Sequence, residues 1–474
     1  MQTFLIWRII QGIFLITILN AGCRKDINRS GAATVPNELQ RSLPALVTPA
    51  DSTDQLYSGL KRKKSVIQFY ESRNNQLAWG DNKSISLIGD SMISMIKNIR
   101  YYGLLPKDYH LIEIENNKRT GSENSLLRID VLLTDAFLTV AKNLKYGRLS
   151  DITKVLDDSL QISLLQQTLN GHGLKKSLEL QEPAFSKYWE LIEALKLSLD
   201  TLKEGDRKIF LDGGTNDTNP RTKKLQLIEI NLERWRWENT ISGDRYIFIN
   251  IPSFWLEVFS NNTVVLESKV IVGTPDRPTP SLSSWVECFI IYPYWPVPRR
   301  IAVEEYLPIL KKNTSFIKRN NFDVFDQKGK LLDPDSIDWI KFNRNYFPVL
   351  LRQREGPENS LGVLKFVFDN PYTVFLHDTN SKRLFSKEVR AFSHGCIRME
   401  KASELAHYLV SGEIGKRSKT IESYLKQRQR RTVDLLNPMP IYVRYFTCEF
   451  KNGVFHQYKD LYKRDQKIIR LFYK

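Results

Sequence analysis

The feature that most constrains this chain is a change of hydrophobic period near residue 245. From Lys61 to about Leu202 apolar residues recur at three- and four-residue spacing, as in Met92, Met95, Ile96 and Ile99, and again in Leu132, Leu133, Ala136, Phe137 and Val140. That spacing is the mark of amphipathic helices; Gly103, Pro106 and Gly147 punctuate them. After Arg245 the pattern becomes short runs rich in β-branched and aromatic residues, Tyr246 to Ile251, Trp255 to Phe259 and Val264 to Val272, which end at Pro or Gly. One layer type cannot serve both halves. The chain therefore predicts an α+β protein, an N-terminal all-α part followed by a mainly β part.

At 474 residues the chain has room for about three domains. A hydrophobic content of 42% with 11% aromatics excludes a disordered chain. The net charge of +17 is scattered, which argues against a nucleic-acid-binding block and for contact with an anionic polymer or a membrane surface. Residues 1–22 read as a signal peptide, with Arg8 ahead of an apolar run from Ile9 to Leu19 that is short for a membrane span. Ala21-Gly22-Cys23 closes it, and 23–60, with Pro36, Pro44 and Pro49, reads as a polar tether. The helical domain is expected over 61–204 and a loop-like linker over 205–222. The β domain is expected over 223–448, with an insertion at about 293–345, and a C-terminal segment, 449–474, packs on it. Cys288 and Cys448 lie in strand-like runs, either as a disulfide or as two buried thiols. His110 and His172 have no evident partner in the sequence and are expected at the surface or in loops.

Chemistry concentrates in Phe392-Ser393-His394-Gly395-Cys396-Ile397-Arg398. Nineteen residues before Cys396, His377 ends an apolar strand in Phe375-Leu376-His377-Asp378-Thr379. Covalent catalysis by cysteine needs a thiolate, a base and backbone donors for the oxyanion, and these residue types supply all three. The helix expected after the motif, with Ala402, Leu405, Ala406 and Leu409 on one face, would set Cys396 near a helix N-terminus, which favours a thiolate. Two blander arrangements use the same residues. One is a buried cysteine beside core histidines; the other is a zinc site of His377, His394 and Cys396, with only Asp378 as a fourth candidate.

Ser393-His394-Gly395-Cys396-Ile397-Arg398, with the His377-Asp378-Thr379 strand end, resembles the signature of the L,D-transpeptidases and their YkuD-like catalytic domain. Val66 to Tyr70, Trp79, Gly103 to His110, Leu132 to Phe137 and Tyr146 to Leu149 resemble the helical scaffold domain of the large periplasmic members. The resemblance implies that Cys396 is the nucleophile and His377 the general base, with backbone donors at Gly395 and Cys396 forming the oxyanion hole. His394 would orient the loop or polarise the thiol, and Arg398 would bind a stem-peptide carboxylate or brace the loop. Ser393 would hold backbone and line the substrate site with Phe375 and Trp295. Trp295 belongs to Pro293-Tyr294-Trp295-Pro296-Val297-Pro298, which resembles the lead-in to the family's lid. Three departures stand out: Phe375 where large members often carry Tyr, too few residues at 205–222 for the peptidoglycan-binding domain common there, and Asn20 in an otherwise lipobox-like end.

The implied reaction needs no cofactor and no metal. Cys396 attacks the carbonyl of the third stem residue, and the thioester is resolved by an amine of another stem, by water (an L,D-carboxypeptidase) or by a protein lysine. The implied partners are peptidoglycan stem peptides, donor tetrapeptide and acceptor amine, with cell-wall synthesis proteins as further partners and no nucleic acid. Lipidation of Cys23 would make this a membrane-anchored periplasmic lipoprotein; the opposing expectation is a wall-binding lipoprotein without activity.

Overall fold

The computed structural model describes residues 56–81, 83–150, 158–212, 219–238, 244–411 and 417–474. The helical half is built around Glu123–Tyr146, which Ser122 starts by accepting a hydrogen bond from the Ser125 amide. From Ile129 to Ala141 every residue of this helix is buried, because other elements surround it. Two acidic residues inside it hold the surrounding chain. Asp130 accepts from the Tyr70 hydroxyl and from the amides of Ala78 and Trp79. Asp135 accepts from the amides of Lys61 and Arg62, and also contacts His110 Nε2 at 2.7 Å. His110 lies in a turn, as expected, but it has a partner and is only partly exposed; that partner lies 25 residues on and only the fold brings it close.

The stretch expected to be a loop, Gly205 to Thr222, instead carries the helix Glu204–Leu211, with Glu204 and Asp206 in its first turn. Its Phe210 is buried under the Arg100 guanidinium, 3.7 Å from ring centre to Arg100 Cζ. The next helix, Pro220–Arg236, begins with Asn219 as its cap and Pro220 in its first turn. From Leu225 to Arg236 it is buried on every side. One face meets the helical domain, where Arg100 pairs with Glu229 at 2.9 Å and neither side chain is exposed. The other meets the β domain, where Trp235 stacks on Phe446 at 4.2 Å and on Phe248 at 5.7 Å. A buried pair costs most when one partner is left alone. Glu229→Ala should lower unfolding free energy by about 3–5 kcal/mol, whereas Arg100→Met with Glu229→Leu should recover most of it. Urea denaturation of both variants checks this; equal losses would contradict it.

The strands are β1 (Arg245–Asn250), β2 (Trp255–Ser260), β3 (Thr263–Gly273), β4 (Leu282–Ile291), β5 (Trp295–Pro296), β6 (Phe322–Asp326), β7 (Leu331–Leu332), β8 (Val349–Gln353), β9 (Leu364–Phe368), β10 (Leu376–His377), β11 (Ala391–Ser393), β12 (Ile397–Met399), β13 (Arg431–Arg444), β14 (Cys448–Lys451) and β15 (Val454–Gln457). Nine form one sheet in the order β11-β3-β12-β10-β9-β4-β13-β1-β2. The further pairing of β2 with β3 closes it into a barrel-like ring. Inward residues such as Ile249, Val272, Phe289, Phe366, Leu376 and Ile397 fill its core, and the helix Ala402–Ser411 covers it with Leu405, Ala406 and Leu409. Cys288 on β4 and Cys448 on β14 are free thiols, so the disulfide alternative falls.

Between β5 and β8 the chain leaves the barrel. It builds a second sheet, β5-β8-β6-β7, with a core of its own around Leu307, Leu310, Ile317, Phe322 and Trp339. After the β14–β15 hairpin, the helix Asp465–Tyr473 returns to the helical half. Phe472 is buried there, Arg148 Nη1 donates to its carbonyl at 2.8 Å and the Tyr473 hydroxyl reaches Glu229. The C-terminal segment thus packs on the helical domain as well as on the barrel. Lys187 of the helical half pairs with Glu257 on β2 at 2.5 Å, a second tie between the halves. Among the described residues no helix is long and apolar enough to cross a membrane.

Candidate active site

The site is assembled on β9, β10 and β12. Leu376 of β10 faces Phe366 of β9 and Ile397 of β12, and all three are fully buried in the barrel. Because side chains alternate along a strand, the neighbours of Leu376 and Ile397 lie on the opposite face. His377 stands there in register with Arg398 on one side and Lys365 on the other. Phe375 and Cys396 fall in the next row, joined where the Ile397 amide donates to the Phe375 carbonyl at 3.0 Å.

His377 is 4% exposed. Its Nδ1 lies 2.5 Å from the carbonyl oxygen of Asp378. A carbonyl only accepts, so Nδ1 carries the proton and Nε2 keeps its lone pair in the neutral ring. Burial and then the nearby Arg398 charge push the imidazole down to about 3. His377 is therefore neutral throughout the physiological range, and the same burial and charge make it a weaker base than a free imidazole. The Asp378 carboxylate turns away from it, accepting from the Val363 amide at 3.0 Å and pairing with Lys382. Gly362, at φ +61°, leaves room for that carboxylate, which a Cβ would strike.

Cys396 departs from the expectation in one respect. The helix begins only at Ala402, and β12 intervenes, so no helix dipole bears on the sulfur. Burial instead pushes the thiol up, while the Phe375 backbone and the charges of Lys365 and Arg398 pull it down. The missed helper is Lys365, which sequence spacing left unmarked in an ordinary strand.

The loop carrying Cys396 is held by short bonds. Ser393 Oγ donates to the Cys396 carbonyl at 2.5 Å and accepts from the Gly395 amide at 3.2 Å. Gly395, at φ +112°, takes a backbone shape that favours glycine. Its N–H points at Ser393 in this conformation, so an oxyanion contact would require it to turn. Thr279 Oγ1 donates to the Gly395 carbonyl at 2.8 Å, and Tyr462 clasps the same turn through the Gly273 carbonyl and the Thr279 amide. Thr279 and Tyr462 had no signal in the sequence beyond a Thr-Pro turn.

His394 points elsewhere. Its Nε2 lies 2.5 Å from Glu305 Oε1, and Arg277 binds Glu305 and Glu304 at 2.9 and 2.6 Å. Both carboxylates sit on a π-helical turn, Ala302–Tyr306, within the insertion. The insertion is thereby tied to the cysteine loop. Burial lowers the Arg398 guanidinium, while Cys396, Tyr306 and Glu305 favour its charged form. Trp295 packs against Tyr306 and Phe322 at 6.3 and 6.4 Å between ring centres, inside the insertion's core. The structure thus gathers Cys396, His377, Phe375 and Arg398 on one face, sets His394 at the rim and leaves Trp295 within the insertion. Cys23 lies outside the described residues. Among the described residues no three His, Cys, Asp or Glu side chains are grouped to hold a metal.

Residues 244–420 match the family model for the L,D-transpeptidase catalytic domain (YkuD), and residues 64–195 match the Scaffold domain. Residues 244–420 belong to the L,D-transpeptidase catalytic domain family. A putative L,D-transpeptidase of Haemophilus influenzae is 34% identical over 251 residues, 53% of this chain and 50% of that protein. The chain spans about half the length of the curated relative it matches. Among solved structures, the Ldtfm–avibactam carbamoyl enzyme aligns at 14% identity and TM-score 0.22, covering 43% of this chain and 49% of its own. An L,D-transpeptidase from Mycobacterium smegmatis aligns at 13% and 0.21, covering 42% and 58%.

The buried histidine of this L,D-transpeptidase domain also makes a stability prediction. The unfolded chain binds a proton at His377 near pH 6.5, the native state only near 3. The native state is therefore at its full advantage above pH 6.5 and loses it as pH falls toward 3, by about 1.4 kcal/mol per unit. Denaturation at pH 7, 5.5 and 4 should show this slope, and His377→Asn should flatten it. An unchanged slope in the variant would contradict the buried neutral ring.

Proposed function

We propose that this protein is a peptidoglycan L,D-transpeptidase working through a thioester on Cys396. The observation that carries this reading is the neutral, buried His377, its Nδ1 engaged by Asp378, on the same face of the barrel as Cys396 within a segment of the L,D-transpeptidase catalytic family. In the proposed reaction Nε2 of His377 takes the thiol proton as Sγ attacks the carbonyl of the third stem residue. The amine of the terminal residue leaves carrying that proton, and the thioester remains. An amine from a second stem then attacks, and Cys396 is released as the thiol. The product joins two third-position residues. His394, occupied by Glu305, is read as a loop-positioning residue, and Arg398 as a brace and a carboxylate contact.

The reading takes an amine as acceptor over water on the ground that the insertion, tied to the cysteine loop through Glu305 and His394, closes over the bound stem and keeps solvent from the thioester. Incubating the protein with disaccharide-tetrapeptide and reading products by mass spectrometry tests this. Dimers linked between third residues are expected; tripeptide alone would move the reading to a carboxypeptidase, and no product would remove it.

We further propose that the protein is tethered in the cell envelope through Cys23, on the strength of the apolar run before Ala21-Gly22-Cys23 and the polar stretch after it. Cys23→Ala should leave a larger precursor without lipid label. Equal processing of both forms would rule out lipidation there.

A further inference from the structure

Lys365 has no carboxylate partner among the described residues, although it is partly withdrawn from water in the wall of the site. It lies opposite His377, and so in the row of Lys365, His377 and Arg398 that crosses three strands about 4.8 Å apart. Its ammonium does not stay in that row. Nζ sits 4.0 Å from the centre of the Phe375 ring, the side chain that shares the next row with Cys396. The ring face offers the cation a partner without neutralising it. Cys288 on β4 is a second thiol on this side, Arg430 before β13 adds a like charge, and Arg398 faces Tyr306 and Glu305 besides Cys396. Arg398 thus feels the Glu305 carboxylate as well as Cys396, whereas no carboxylate acts on Lys365.

We propose that Lys365 is the counter-charge of the Cys396 thiolate, held in place by the Phe375 ring. It is a positioning residue that acts through the sulfur. A cation on the same face as a partly buried thiol favours the ionised form, and here no helix dipole is available to do so. The proposal deepens the transpeptidase reading and rests on Cys396 being its nucleophile, but its test does not depend on turnover.

The test is the pH dependence of alkylation by iodoacetamide in the full chain, followed by mass spectrometry on the peptide containing Cys396. Lys365→Gln should move the midpoint up by about one pH unit, and so slow the reaction at pH 7 by about tenfold. Lys365→Met should do the same, and Lys365→Arg should stay within about twofold of the parent. Thermal melts identify which variants are folded. An unmoved midpoint in either folded neutral variant overturns the proposal, most plainly where Arg398→Met does move it. A shifted midpoint in a protein that makes no cross-links would defeat the transpeptidase reading and leave Lys365 its role.

Discussion

Cys396→Ala is expected to remove acyl transfer, with a loss of about 10⁴-fold or more in turnover, while the protein stays folded. The nucleophile forms the bond on which both half-reactions depend, so no neighbouring group can share its task. Its side chain lies on the outer face of the barrel, and the core contacts of Leu376 and Ile397 do not involve it. Turnover on disaccharide-tetrapeptide, alongside a urea melt, separates the two effects. Substantial residual turnover would show that the chemistry belongs elsewhere; a lost fold would show that Cys396 also carries structure.

The second large effect is expected at His377. His377→Ala should slow acylation by about 10²–10⁴-fold, the usual worth of a positioned general base. His394→Ala should do less, because His394 is engaged with Glu305 at the edge of the insertion. Its loss should loosen the insertion, raising the share of product hydrolysed by water. Single-turnover acylation rates for both variants decide the matter. If His394→Ala proves the more damaging while both proteins fold, the base is His394 and the neutral ring of His377 has a structural purpose.

Much of this was legible in the residues. The change of period near Arg245 marked the boundary between halves, because periodicity reports which face each element buries. The Ser393–Arg398 motif marked the cysteine loop and the apolar strand end marked His377, while the face it takes came only from the register of β10 with β9 and β12. What was missed depended on long-range contacts. His110 finds Asp135, Phe210 finds Arg100, and Tyr462 reaches back to Thr279 across 183 residues. Lys365 carries no motif of its own; only the register of β9 on β10 sets it beside the site. The expected helix is present at Ala402–Ser411, but its expected nearness to Cys396 failed for a local reason. Ile397 to Met399 pair with β3 and β10 as a strand before any helix can begin.

The most direct test of the central claim, that Cys396 is the acylated residue, is the intact mass of the protein after incubation with a carbapenem, a β-lactam whose strained ring carbonyl a thiolate can open. One adduct is expected, confined on digestion to the peptide spanning Ser393 to Arg398 and absent from Cys396→Ser. An adduct on Cys288 or Cys448, or undiminished labelling of Cys396→Ser, would contradict the account.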